Sequence, residues 1–90
     1  MDASREILRT TFLEVVDNQI RDNVPAETRQ TFERLQRQGY CVGDAKRLIA
    51  GVVAAEMFEI FKTKQPFDER RFVERLHQLP DMPWSDDEDA

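Results

Sequence analysis

The feature that most constrains this chain is the stretch from Leu48 to Phe61, which is apolar around most of a helical circumference. A helix of this kind is buried on several sides. The sequence predicts that the helix begins after Cys41 as N-cap, with Asp44 three residues on as in a capping box, and continues to about Thr63. We therefore expect a long central buried helix.

Two predicted helices precede the central helix. The first spans about residues 4–22, where apolar side chains recur at three- and four-residue spacing. The second spans residues 25–38, with Pro25 at the first helical position and Gly39 as the residue that ends the helix in a left-handed conformation. Because this second helix carries few apolar residues, we expect it on the outside of the domain.

One predicted helix follows the central helix. Asp68 is its expected N-cap, Phe67 can pack as a hydrophobic staple onto Phe72, and Pro80 ends it. The sequence thus predicts an all-α, compact four-helix domain.

Length and charge divide the chain into a body and a tail. Ninety residues form one domain with a modest core and little room for a deep active-site cleft. The single helical domain is expected over residues 1–80, where thirteen acidic and thirteen basic residues balance. The net charge of −5 therefore comes from residues 81–90, which we predict to be a disordered acidic tail.

The sequence also indicates a compartment. Cys41 is the only cysteine, so no intrachain disulfide is possible, which suits a reducing environment. The N-terminus shows no secretory signal, and the longest apolar run, residues 48–55, is far shorter than the roughly 20 residues that span a membrane. We expect a cytoplasmic protein with no membrane partner.

Two carboxylates on the central helix are candidates for chemistry. Glu56 and Glu59 share a sector with apolar residues, and no base on the same helix can pair with Glu56. We expect a tertiary ion pair with Arg70, Arg71 or an arginine of the second helix, or simple exposure. The alternative is a small metal-binding protein or enzyme that uses both glutamates and His77 across a dimer. No cofactor is otherwise expected.

Neither catalysis nor nucleic-acid binding is favoured. Cys41 lies near a helix N-terminus, where its thiolate is stabilised, but the one histidine is distant and no orienting acid is evident, so we expect no enzyme. Five basic residues surround the turn between the second and third helices: Arg29, Arg34, Arg37, Lys46 and Arg47. Nearby acids match them, and the third helix is too apolar to lie in a groove of DNA. A solvated face is expected there.

The remaining hypothesis is an interaction module. The central helix has more apolar circumference than three short neighbours can cover, and small residues on it would let another helix approach: Ala50, Gly51, Ala54 and Ala55. We expect a homodimer through the first, third or fourth helix, with Gly51, Ala54, Ala55 and Phe58 as interaction residues, although the surface could bind another protein instead. In the tail, Trp84 either anchors a short recognition motif or folds back over the edge of the core.

Several short motifs carry a family resemblance: Val24-Pro25, Glu27, Arg34-Leu35, Gly39-Tyr40, Ala45, Leu48-Ile49, Glu56 and Pro66-Phe67-Asp68. Over about residues 12–78 the chain resembles an uncharacterised bacterial family of small helical domains of unknown function. The resemblance implies a bacterial cytoplasmic protein and no activity. Members of that family are richer in histidine, so a metal role there would not carry over. The turn at Gly39-Tyr40 also resembles that of ubiquitin-associated domains, but the helix after it is twice as long.

Overall fold

The computed structural model describes the backbone of residues 2–82 and the side chains of residues 10–82. Within this range there are four helices and no strand: α1 (Asp2–Asp22), α2 (Ala26–Arg37), α3 (Val42–Thr63) and α4 (Glu69–Gln78). The radius of gyration is 12.8 Å, near the value of about 12 Å for a compact domain of this size. The predicted compact all-α fold is confirmed, whereas residues 83–90 of the predicted tail lie outside the described residues.

The C-terminus of α2 is capped as predicted. Gly39 has a φ of +107°, and its N–H donates to the carbonyl of Gln36 at 3.0 Å. The N–H of Tyr40 donates to the carbonyl of Leu35, also at 3.0 Å. These two bonds define a Schellman motif. At the other end, Pro25 is the N-cap with extended backbone (φ −74°, ψ 154°) rather than the first helical residue, so the predicted start was one residue early.

The predicted N-caps of α3 and α4 are confirmed. The Sγ of Cys41 accepts a hydrogen bond from the N–H of Asp44 at 3.5 Å, and the Oδ1 of Asp68 accepts one from the N–H of Arg71 at 3.2 Å. Phe67 packs on Phe72 with ring centroids 5.7 Å apart. These local contacts set the positions at which the two helices begin.

The α3 helix lies at the centre and packs against the other three helices. The α2 helix also packs against the other three helices, whereas its opposite side, with Glu33 and Arg37, is exposed, so the expected position on the outside holds for that side only. It buries Thr28 and Thr31 beside Leu35, and the hydroxyl of Thr28 donates to Oε1 of Gln19 at 2.9 Å. Two of the three buried residues of α2 are therefore threonines. In the described part of the chain, α1 and α4 do not pack directly on one another.

The core is formed mainly by α3 and the residues facing it. Its buried apolar members are Val16, Leu35, Ala45, Ile49, Val52, Val53, Phe72, Leu76 and Leu79. The α3 helix is buried along one face only, because its neighbours leave the opposite side open from Met57 onward. The expectation of burial on several sides therefore fails over the C-terminal part of the helix. No helix in the described range is long and apolar enough to cross a membrane.

Candidate interaction surface

The side of α3 that points away from the core carries Gly51, Ala54, Phe58 and Phe61, which we call the outer face of α3. At 100° per residue these four positions fall within one sector, opposite the buried Ile49 and Glu56. Phe58 is 72% exposed and Phe61 is 67% exposed. The outer face thus presents two aromatic rings to solvent.

The exposed apolar surface extends from the outer face towards α4. Met57 lies one turn from Phe61 and is 40% exposed, and Phe67 is 53% exposed. Both line a cleft of about 190 Å³ between α1, α3 and the start of α4, where α1 and α4 are not in contact. Its walls include Phe12, Val15, Val53, Met57, Phe67 and Phe72, and we call it the apolar cleft. The cleft and the outer face form one continuous apolar region.

The small residues predicted for an interface lie along the N-terminal part of this face. Gly51, Ala54 and Ala55 are all partly buried. A Cβ at Gly51 would collide with the Cε of Met82, so the segment after α4 passes over the outer face at that point. Of the predicted interaction residues, Phe58 is the most open, and Trp84 lies outside the described residues.

Glu56 is held in a buried ion pair that joins α3 to α4. The Nη2 of Arg71 lies 2.9 Å from Oε1 of Glu56 and the Nη1 of Arg75 lies 2.9 Å from Oε2, and the Nε of Arg71 lies 3.2 Å from both oxygens. The predicted tertiary ion pair with Arg71 is confirmed. Arg75 was not predicted, although its i,i+4 spacing from Arg71 places both on one face of α4. The hydrogen bond to Glu56 raises the pKa of Arg71.

This arrangement leaves Glu56 poorly suited to a metal. Both of its oxygens accept hydrogen bonds from guanidinium groups. Glu59 is half-buried and His77 is exposed. In the part of the chain that the structure describes, no group of three or more histidine, cysteine or acidic side chains is arranged to hold a metal ion.

Two arginines of the predicted basic cluster cap neighbouring helices. Arg29 donates through Nη2 to the carbonyl of Ile20 at 2.7 Å, at the end of α1. Arg34 donates to the carbonyls of Leu79 and Leu76 at 2.9 and 3.0 Å, at the end of α4. The carbonyl of Leu76 also accepts from the N–H of Leu79 at 3.2 Å, so Arg34 adds a second bond there, whereas Ile20 and Leu79 present carbonyls at or just beyond a helix end. The expected solvated face is therefore partly structural, because Arg29 and Arg34 point into the protein.

Two other members of the cluster pair with acids. Lys46 lies 2.7 Å from Oδ1 of Asp17 and above the ring of Phe32, and Arg47 lies 2.7 Å from Oδ1 of Asp44. Positive charge at the turn between α2 and α3 is thus matched locally, which is unfavourable for binding a phosphate backbone.

Comparisons with protein-family models, curated proteins and solved structures found no match for this chain. The candidate site consists of the outer face of α3 and the adjoining apolar cleft.

Proposed function

We propose that this protein is a non-enzymatic helical interaction module that self-associates through the outer face of α3. The observation that carries the proposal is the exposure of Phe58 and Phe61, together with Met57 and Phe67, in one continuous apolar region. Soluble monomers rarely expose large contiguous apolar patches, and those that exist are often binding sites. Aromatic side chains are also the residues most enriched in the energetic centres of interfaces.

The spacing of the outer face supports a second copy of the chain as partner. Ala54, Phe58 and Phe61 follow the alternating four- and three-residue spacing of a helix–helix seam, and Met82 covers the preceding position, Gly51. In an antiparallel pair about a two-fold axis, Phe58 of each chain would lie beside Phe61 of the other, so the same patch serves both sides. The small Ala54 would let the two helices approach.

The balanced charge of residues 1–80 also permits two chains to pair through the outer face of α3. The thirteen acidic and thirteen basic residues of positions 1–80 cancel, so two domain bodies carry no net charge that would hold them apart. Because four of the five basic residues near the α2–α3 turn are engaged within the chain, protein is favoured over nucleic acid as the partner.

The proposed setting is the cytoplasm of a bacterium. The exposed Cys41 as the only cysteine supports a reducing compartment. The bacterial origin is supported by the family resemblance over about residues 12–78.

Sedimentation velocity of the full chain from about 1 μM to about 1 mM tests self-association, since this range brackets weak dimers. We expect a concentration-dependent shift from monomer to dimer. Phe58→Ser should remove that shift. The matched control is Val24→Ser, which removes an apolar side chain of similar exposure, 68%, at the α1–α2 turn.

Two results would contradict the proposal. One is a wild-type chain that stays monomeric across the whole range. The other is equal weakening by Phe58→Ser and Val24→Ser, because that would show association through general hydrophobicity rather than through the outer face of α3.

A further inference from the structure

We infer that, when two copies associate, the ring of Phe61 of each copy seats in the apolar cleft of the other. This seating rests on the proposed self-association and adds to it the residue that the second copy contributes and the site that receives it. Phe61 is exposed one turn beyond Met57, which forms part of the cleft wall, and Phe61 itself does not line the cleft of its own chain. The ring and the cleft are therefore neighbours, and both are open.

The size of the apolar cleft matches one aromatic ring. Its volume is about 190 Å³, and an enclosed apolar cavity of about 150 Å³ is large enough to hold benzene. Sites for drug-sized molecules run from about 300 Å³ upward. A single phenylalanine side chain brought by another chain therefore fits the cleft, whereas a larger ligand exceeds it.

The chemistry of the cleft favours a ring without a polar substituent. Six of the residues that line it are apolar. Of the polar ones, Glu56 accepts hydrogen bonds on both oxygens from Arg71 and Arg75, and Oε1 of Gln19 accepts one from Thr28. These acceptors are already bonded within the chain, so a phenylalanine ring can cover them without leaving a new polar group unpaired.

The two-fold axis of an antiparallel pair brings Phe61 of one copy to the cleft of the other. If the axis runs across both helices halfway between Phe58 and Phe61, the second copy's Phe61 lies level with Phe58 of the first, about 1.5 Å along α3 from Met57. Such an axis keeps every residue on its own side of the seam. Phe61 and Met57 lie on one side of the seam and Phe58 on the other. The incoming ring therefore lies over Met57, at the mouth of the cleft.

The exposed apolar area suits a dimer as the occupant. Phe58, Phe61 and Phe67 are 72%, 67% and 53% exposed, and because an aromatic side chain can bury about 150–250 Å², the three rings offer about 300–480 Å² on each copy. A standard interface buries about 800 Å² per partner, of which a little over half is apolar. The three rings thus supply a large part of the apolar area that a specific dimer needs.

Blocking the cleft and removing the ring in separate chains tests the seating. Val15→Phe fills the cleft from its α1 wall and keeps Phe61, whereas Phe61→Ser removes the ring and keeps the cleft open. A pair formed by either variant alone has no ring in a cleft, but a mixed pair retains one. At equal total concentration, sedimentation velocity should show more dimer in an equimolar mixture than in either variant alone.

The two contacts of the dimer are equivalent, which sets the size of the effect. We expect the Kd of each variant alone to rise at least about 100-fold above the wild-type value, and that of the mixed pair at least about tenfold. The matched control is Glu14→Phe, which adds the same ring on α1 at an exposed position that does not line the cleft. It should dimerise as the wild type does. Circular dichroism establishes that each variant keeps its helices.

NMR locates the ring without any substitution. In a mixture of isotope-labelled and unlabelled chains, we expect nuclear Overhauser effects between the methyl groups of Val15 and Met57 in one chain and the ring protons of Phe61 in the other. These signals pass between chains only, because isotope filtering removes contacts within one chain. They therefore report the seating even if Val15→Phe fails to fold.

The seating and the self-association fail separately. The seating is overturned if the wild type dimerises while the methyl groups of Val15 and Met57 show no contact with Phe61 of the other chain. It is also overturned if folded Val15→Phe dimerises as well as the wild type, or if the mixture associates no more than its components. In each of these cases self-association stands. A wild-type chain that stays monomeric rejects self-association and the seating with it.

Discussion

Glu56 and Phe58 lie two positions apart on α3, and the charged residue is the buried one. The carboxylate of Glu56 is 2% exposed and the ring of Phe58 is 72% exposed. Glu56 points to α4, where Arg71 and Arg75 meet it with hydrogen bonds. Phe58 points to the side of α3 that no described helix covers. Burial on this helix is therefore decided by where the neighbours lie, not by the hydrophobicity of the residue.

Glu56 and Phe58 also differ in what they contribute to the stability of the domain. A buried ion pair adds little to net stability, but removing one partner costs much because the other charge stays unpaired. Glu56 thus acts mainly to hold α4 in register on α3. An exposed phenylalanine adds little to the stability of the domain and carries a risk of aggregation, which is consistent with the proposed binding role.

The largest expected effect is on the free energy of unfolding, and it compares aspartate placed on the buried face of α3 with aspartate placed on its outer face. Val53→Asp buries an unpaired charge in the core, and we expect it to lower the free energy of unfolding by about 4 kcal/mol or more. Phe58→Asp places the same charge in solvent and should change it by less than about 1 kcal/mol. Urea denaturation of dilute protein, followed by circular dichroism, measures both. Equal losses would mean that the assigned faces of α3 are wrong.

The next effect concerns Glu56 alone. Glu56→Gln keeps one acceptor but removes the carboxylate charge that Arg71 and Arg75 share. The arginine side chains are 31% and 18% exposed and can turn to water, so we expect a loss of about 2 kcal/mol, below the 3–5 for a fully buried pair. Glu59→Gln, one turn away and half-buried, is the matched comparison: Glu59 acts on Arg71 without a hydrogen bond, so we expect a much smaller loss. If urea midpoints fell equally for both, the ion pair would not hold α4.

A smaller effect is expected from a charge that caps a helix. Arg34→Ala removes the hydrogen bonds to the carbonyls of Leu76, in the last turn of α4, and Leu79, just after it, and we expect a loss of about 1–2 kcal/mol. Arg34→Lys should recover only part of it, because an ammonium cannot reproduce the two-pronged contact. Arg37→Ala, on the exposed side of α2, should be nearly neutral. A melting temperature lower for Arg37→Ala than for Arg34→Ala would contradict this capping role of Arg34.

The sequence predicted the helix-end contacts that form between residues close together along the chain. The N-caps at Cys41 and Asp68, the Schellman motif at Gly39 and the staple of Phe67 are set by residues within five positions of each other. Such contacts follow from local backbone chemistry, so their spacing is visible in one sequence.

Contacts between distant segments were predicted less well. That Glu56 needs solvent or a base from another helix followed from its apolar surroundings, but the choice of Arg71 and Arg75 depended on how α4 lies on α3. The capping roles of Arg29 and Arg34 depend on where α1 and α4 end in space. The total apolar circumference of α3 was visible, whereas which part stays open could not be known before its neighbours were placed.

The smallest expected change in stability is at Gly51, where Met82 already covers the outer face of α3. Gly51→Ala gains up to about 1 kcal/mol of helix propensity, but its Cβ must displace the Cε of Met82, the flexible end of that side chain. We expect a net stabilisation below about 1 kcal/mol. In a Met82→Ala background nothing opposes the new Cβ, so Gly51→Ala should there give the whole gain. A double-mutant cycle on urea midpoints measures the difference. If the two substitutions were additive, Met82 would not lie on Gly51.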